Sequence, residues 1–234
     1  MVDHQLSFHD YRCRTGRGGP RPGAGRPRRR TRERRPSHDA RPLHSRHTPV
    51  HATLRVRQGL PSLRCGRFLR EFRAGLLAMR GRSGFRVCQC SVQGNHLHLI
   101  VEAEDRGALS GGMKALGCRV AAAVHRAFGG AGAVLAERCH LRALRTPAEV
   151  RAALAYVLLN VRKHAWERLG RAPRVVLDGA SSARFFDGWR RGASSPRGAV
   201  RRRVVEVSDS RCWLLRVGWR RHGALIDPAE VPGR

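Results

Sequence analysis

Four side chains in this 234-residue chain have types and spacing suited to chemistry: His96 and His98, one residue apart, and Tyr156 and Asn160, four residues apart. The histidines lie in the strand-like run Asn95-His96-Leu97-His98-Leu99-Ile100-Val101. Alternate residues of a strand share a face, so Leu97, Leu99 and Val101 point into a core while His96 and His98 project together from the other side. Two adjacent imidazoles can clamp a divalent cation. With 12 histidines in the chain, such a triplet arises by chance about 0.6 times, so the context has to carry the reading. Tyr156 and Asn160 are one helical turn apart, on one face of a helix. Tyr156 is also the only tyrosine besides Tyr11.

A cation held by His96, His98 and the carboxamide oxygen of Asn160 would polarise a phosphate and stabilise its developing charge. Tyr156 would attack phosphorus, leaving a phosphotyrosine on one side of the break and a free 3′-hydroxyl on the other. The covalent link conserves the energy of the broken bond, so rejoining needs no nucleotide cofactor. A phenol keeps its proton at neutral pH, and Lys163, further along the same helical stripe, is a candidate to help remove it.

The composition points to a polyanionic partner. Forty-seven basic residues against 17 acidic ones give a formal charge of +30, and Lys114 and Lys163 are the only lysines. Arginine favours bidentate phosphate contacts, and a field of this sign and size suits nucleic acid. Residues 1–50 hold 13 arginines against Asp3, Asp10, Glu33 and Asp39, but arginine recurs throughout. No apolar run reaches the roughly 20 residues that span a bilayer, and the N-terminus does not read as a secretory signal. Seven cysteines with no Cys-x-x-Cys pair argue against a disulfide framework or a zinc finger and fit a reducing cytoplasm. Cys88 and Cys90 could share a strand face, although small buried hydrophobes are the plainer reading.

Three segments follow from these patterns. Residues 1–48 form a basic Arg/Gly/Pro-rich arm with too little apolar surface to repay ordering. Within it Arg26, Arg28 and Arg29 are expected to contact DNA, and Gly25-Arg26-Pro27-Arg28 resembles the core of an AT-hook. Residues 49–171 form the domain that carries the site, and residues 172–234 an extension with a basic linker and a Trp-containing segment. In the domain a first strand runs from Val50 to Arg57, a helix over residues 64–80, a second strand from Phe85 to Val92, and the histidine strand follows a turn at Gly94-Asn95. Leu109, Met113, Leu116, Val120 and Val124 mark a second helix ending near Gly129 and Gly130, and Val134 to Leu144 reads as a fourth strand. Thr146-Pro147-Ala148-Glu149 combines a capping box with proline at the first helical position. The helix it starts has a core stripe of Val150, Leu154, Val157, Leu158, Val161 and Ala165, with Tyr156, Asn160 and Lys163 on an adjacent polar stripe. The order strand, helix, strand, strand, helix, strand is the ferredoxin-like split βαβ pattern of an α+β fold. It implies a four-stranded antiparallel sheet, here with an extra helix after it.

The run Gln93-Gly94-Asn95-His96-Leu97-His98-Leu99-Ile100-Val101 resembles the histidine-hydrophobic-histidine motif of the single-tyrosine HUH transposases. Ala155-Tyr156-Val157-Leu158-Leu159-Asn160 is similar to their catalytic helix. The particular resemblance is to REP-associated tyrosine transposases and IS200-like transposases. It extends through Arg21-Pro22-Gly23-Ala24-Gly25-Arg26, Leu141-Arg142-Ala143-Leu144-Arg145-Thr146-Pro147 and Phe186-Asp187-Gly188-Trp189. It implies a ferredoxin-like fold, single-stranded DNA with hairpin-forming ends as substrate, Mg²⁺ or Mn²⁺ as cofactor and Tyr156 as nucleophile. Arg142 and Lys163 are expected to contact the DNA, and the setting implied is the bacterial cytoplasm at the nucleoid. Many members follow the catalytic-helix asparagine with proline. Val161 at that position predicts a helix continuing through Trp166.

Two other readings use the same residues: a non-catalytic nucleic-acid-binding module on a ferredoxin-like sheet, and a rolling-circle replication initiator. The first would need stacking aromatics, and Phe85 is the only aromatic in the four expected strands. The oligomeric state, monomer or dimer, is left open. Trp219-Arg220-Arg221 is expected to dock on the domain in preference to binding DNA.

Overall fold

The period-two run at Val50 and the helical spacing that follows it form the elements their patterns imply. A computed structural model describes residues 44–171, 174–190, 205–222 and 224–233, all within the unit spanning residues 38–234. The arm up to residue 43, with Arg26, Arg28 and Arg29, lies outside the described residues, as does most of the basic linker. The elements are β1 (Val50–Arg55), α1 (Gly66–Leu77), β2 (Phe85–Val92), β3 (His96–Ala103), α2 (Arg106–Phe128), β4 (His140–Ala143), α3 (Pro147–Leu158) and α4 (Asn160–Leu169), with a short α5 (Trp219–His222) near the C-terminus. The four strands make one antiparallel sheet in the order β2-β3-β1-β4. The fold is α+β with the ferredoxin-like strand order. None of the helices among the described residues is long and apolar enough to cross a membrane.

One face of the sheet is closed by α1 and α2. Ala52 and Leu54 of β1, Leu97, Leu99 and Val101 of β3, Phe68 and Phe72 of α1 and Leu116 and Val120 of α2 share this core. At Gly112 the second helix lies directly on Phe85, where a Cβ would stand 2.1 Å from the ring. Only glycine permits that approach.

The other face is closed by α3 and the returning C-terminal segment. Ile100, Leu144, Val150, Leu154, Val157, Leu158, Leu215, Trp219 and Ile226 form this second core. Trp219 is buried and stacks on Phe186 with ring centroids 5.7 Å apart, so this segment docks as its apolar residues imply. Glu102, buried on β3, receives hydrogen bonds from the backbone N–H groups of Arg211 and Cys212 and from Arg86. The carboxylate ties the returning chain to the sheet and is itself satisfied by those donors.

Three expectations are corrected. The fourth strand is not continuous from Val134 to Leu144. Leu135 pairs with Val56 and His140 with Thr53, so the edge strand has two extra residues between these pairs. They bulge outward and leave β4 only four residues long, as edge strands readily allow. Cys88 and Cys90 do not share a face, because a bulge at Cys88 shifts the β2 register between Val87 and Gln89. Cys88 enters the second core and Cys90 the first. Burial pushes the Cys90 thiol up to about 12 and raises that of Cys88 as well, which marks both as inert packing groups.

The third correction concerns the helix through Tyr156. It does not run through Trp166 but breaks at Leu159, whose φ of −111° and ψ of 17° are not helical. No proline causes this. Val157, Leu158, Leu159 and Asn160 are four successive buried residues. Four residues at 100° per step sweep most of the way round a straight helix, more than one apolar stripe can hide. After the break, Asn160 and Arg162, in the first turn of α4, are buried. The Arg162 guanidinium then donates to the carbonyl oxygens of Ala229 and Glu230. Val161, expected in the core stripe, is only half-buried.

Candidate active site

His98 sits at the centre of a polar cluster on the second face. In register it lies opposite Thr53 of β1 and Ser91 of β2. Its Nδ1 is 3.2 Å from Thr53 Oγ1 and 3.3 Å from His51 Nε2. His96 donates from Nδ1 to Asn95 Oδ1 over 2.8 Å, which leaves its Nε2 unprotonated. The Nε2 atoms of His96 and His98 stand 3.1 Å apart. The two histidines therefore project together, as strand alternation requires.

Burial, with His51 and His96 alongside, pushes the His98 imidazole down to about 3. Burial, with His140 and Arg142 nearby, lowers His51 to about 4. His96 is lowered by burial and by the neighbouring Arg55 and His164. All three rings are neutral at pH 7, the state in which an imidazole nitrogen offers its lone pair.

Tyr156 comes to the same place from α3, whose start is fixed by the reciprocal capping of Thr146 and Glu149. Its ring meets His98 edge to face at a centroid distance of 5.0 Å and His51 at 5.9 Å. Lys163, from α4, holds its Nζ 5.0 Å from the centre of the Tyr156 ring and forms a 3.9 Å ion pair with Glu167. Asn160 is fully buried, and both Oδ1 and Nδ2 lack a hydrogen-bond partner. A sealed carboxamide with neither end satisfied is rare and calls for an absent ion or water. Because of the break at Leu159, Tyr156 and Asn160 belong to different helices.

Two hollows flank the cluster. One, about 760 Å³, is bordered by His51, Arg142, Arg151, Tyr156, Lys163 and Glu230. The other, about 550 Å³, is bordered by Arg64, Gln93, His96, His164 and Arg168. Arg142 is exposed on the edge strand and paired with Glu149. The larger hollow of about 810 Å³, between α2 and the segment before β4, holds none of these residues.

His51 and Thr53 escape a search for motifs. The signal for them was present in the alternation of the first strand, which places His51, Thr53 and Arg55 on the face opposite Ala52 and Leu54. In a ferredoxin-like order β1 lies beside the histidine strand, which brings that polar face to His98.

No family model and no curated protein matches the chain. Among solved structures, one described as a REP-associated tyrosine transposase bound to a REP hairpin is similar over 56% of this chain and 75% of its own. The identity is 19% and the TM-score 0.44. At that level of likeness the functional reading stands on this chain's own residues.

Proposed function

We propose that this protein is a transposase-type endonuclease and strand transferase for single-stranded DNA with hairpin-forming ends, working through Tyr156 with a divalent metal on His96, His98 and Asn160. The observation that carries the reading is the contact of Tyr156, from a helix, with the ring of His98 on a central strand, whose Nε2 is paired with that of His96.

The donor set fits a metal. The Nε2 atoms of His96 and His98, 3.1 Å apart, would both be donors to one cation. Among the described residues no group of three His, Cys, Asp or Glu is arranged to hold a metal, so the pair needs a third ligand of another kind. The orphaned carboxamide of Asn160 is an oxygen donor of that kind, suited to Mg²⁺ or Mn²⁺. When bound, the ion supplies Lewis-acid polarisation of the scissile phosphate.

The remaining steps belong to the chain. Thr53 and His51 engage His98 at Nδ1 and keep its Nε2 turned towards His96. Lys163 stands over the Tyr156 ring and brings a cation next to the nucleophile. Tyr156 Oη forms a bond to phosphorus as the bond from phosphorus to the 3′-oxygen breaks. The leaving oxygen takes up a proton and the 5′-phosphate stays on the tyrosine. Attack by a second 3′-hydroxyl reverses the step and joins the strands. Arg142, on the rim beside Tyr156, supplies a phosphate contact, and the arm arginines Arg26, Arg28 and Arg29 supply further ones.

The non-catalytic module is disfavoured by the packing. Its ligand would lie on an open sheet face, but one face carries α1 and α2 and the other α3 and the C-terminal segment. Phe85, the aromatic on the strands, is buried beneath α2.

Incubation with labelled hairpin-bearing single strands and Mn²⁺, followed by denaturing electrophoresis, tests the reading. A protein-linked band is expected with wild type, and none with Tyr156→Phe or after chelation. DNA binding without any such band would support the non-catalytic module instead.

A further inference from the structure

Gln93 is a buried polar residue beside His96 that the proposed mechanism does not use. Gln93 follows β2, and its backbone N–H closes the hairpin onto the His96 carbonyl at 2.8 Å. The residue is 95% buried, yet it lines the 550 Å³ hollow beside His96. Nε2 donates to Ser91 Oγ over 2.8 Å, which fixes the plane of the amide. Oε1 accepts no hydrogen bond among the described residues and is not sealed in. Burying a polar group without a partner costs free energy, so an amide with an unused acceptor in a residue that borders a hollow suits a ligand that donates to it.

The rest of the hollow narrows the ligand class. Arg64 is held rigid by a two-pronged pair with Asp178, at 2.7 and 3.0 Å, and by the Val92 carbonyl at 2.7 Å. His164, held 2.9 Å from Glu167, and Glu167 itself also border the hollow, and Arg168 beside them offers a contact to a phosphodiester backbone. The volume lies within the roughly 300–1,000 Å³ of small-ligand pockets. A carboxamide, with donor and acceptor in one plane, beside Arg168 matches the edge of a nucleobase on a phosphodiester backbone. His96 borders this hollow, and Tyr156 borders the other one. A strand whose scissile phosphate lies at the histidine pair would therefore pass an adjacent nucleotide into the Gln93 hollow.

We propose that the hollow beside His96 reads the base of one nucleotide flanking the scissile phosphate, with Gln93 as the specificity-determining residue. This rests on the endonuclease reading above. A carboxamide pair contributes discrimination of roughly tenfold between the favoured base and the others.

The test uses the full-length protein with Mn²⁺ and a hairpin-bearing single strand randomised at the positions around the break, with sequencing of the covalently joined products. Wild type should enrich one base at one position next to the junction by about tenfold. Gln93→Ala should flatten that position and no other. Gln93→Glu, nearly isosteric but with acceptors only, should move the preference to a different base. Folding of both variants is checked by thermal melting, and the readout is the base profile, which a loss of stability would not reshape at a single position. A flat wild-type profile, or one that both variants leave unchanged, overturns this proposal alone. If wild type forms no covalent product with any sequence, the endonuclease reading falls and takes this inference with it.

Discussion

The two faces of the sheet are built from alternate residues of the same strands and have opposite chemistry. On the face under α1 and α2, Ala52, Leu54, Leu97, Leu99 and Val101 pack in an apolar core. On the face under α3, the intervening His51, Thr53, His96 and His98 form a polar cluster in which His51 and His98 meet Tyr156, while Ile100 joins a second core further along. Both faces are covered, so covering does not distinguish them. What differs is the sheet's own side chains: those of the first face are apolar, whereas the second presents facing imidazole nitrogens at His96 and His98.

Substitutions that act on one face alone test that division. The largest effect is expected from Trp219→Ala, which empties the second core beside Phe186 and should cost about 3–5 kcal/mol in urea unfolding. An unchanged midpoint would mean that the C-terminal segment is not integral to that face. Leu99→Ala and His98→Ala compare neighbouring positions of one strand. The leucine variant should lose about 2–5 kcal/mol of stability while its folded fraction still binds Mn²⁺. The histidine variant should lose under about 2 kcal/mol but bind Mn²⁺ at least about tenfold more weakly in calorimetry. If both variants lose stability and metal alike, the faces are not separate in function.

Smaller effects sharpen the comparison. Thr53→Val keeps the shape of the side chain but removes the hydroxyl next to His98 Nδ1. Mn²⁺ affinity should fall roughly tenfold with little change in melting temperature, and Thr53→Ser should restore it. Thr146→Ala removes one half of the capping box that starts α3 and should cost about 1 kcal/mol. Because the cap only anchors the helix that carries Tyr156, metal affinity should not move.

Legibility in the sequence followed how local the cause was. The apolar alternation of the histidine strand and the Thr146-to-Glu149 start signal act within a few residues, and both could be read directly. The strand order followed because split βαβ units have few ways to pair. The break at Leu159 was not readable, since Val161 in place of proline argued for a continuous helix. Its cause is the burial of four successive residues against a sheet and a C-terminal segment remote in sequence. The short β4 likewise reflects a bulge against β1 that only pairing reveals. In the candidate site, the residues with motif-like spacing were legible. His51, Thr53 and Gln93 were not, because each gains its meaning from a neighbour on another strand or from the hollow it faces.

The central claim is that Tyr156 is the atom-bearing partner of DNA at the histidine pair. The most direct measurement is mass-spectrometric mapping of the peptide that remains attached to a nucleotide after wild-type protein, Mn²⁺ and a hairpin-bearing single strand have reacted and been digested. The nucleotide should be found on Tyr156 through its 5′-phosphate. Attachment to any other residue, or to Tyr156 through a 3′-phosphate, would contradict the mechanism.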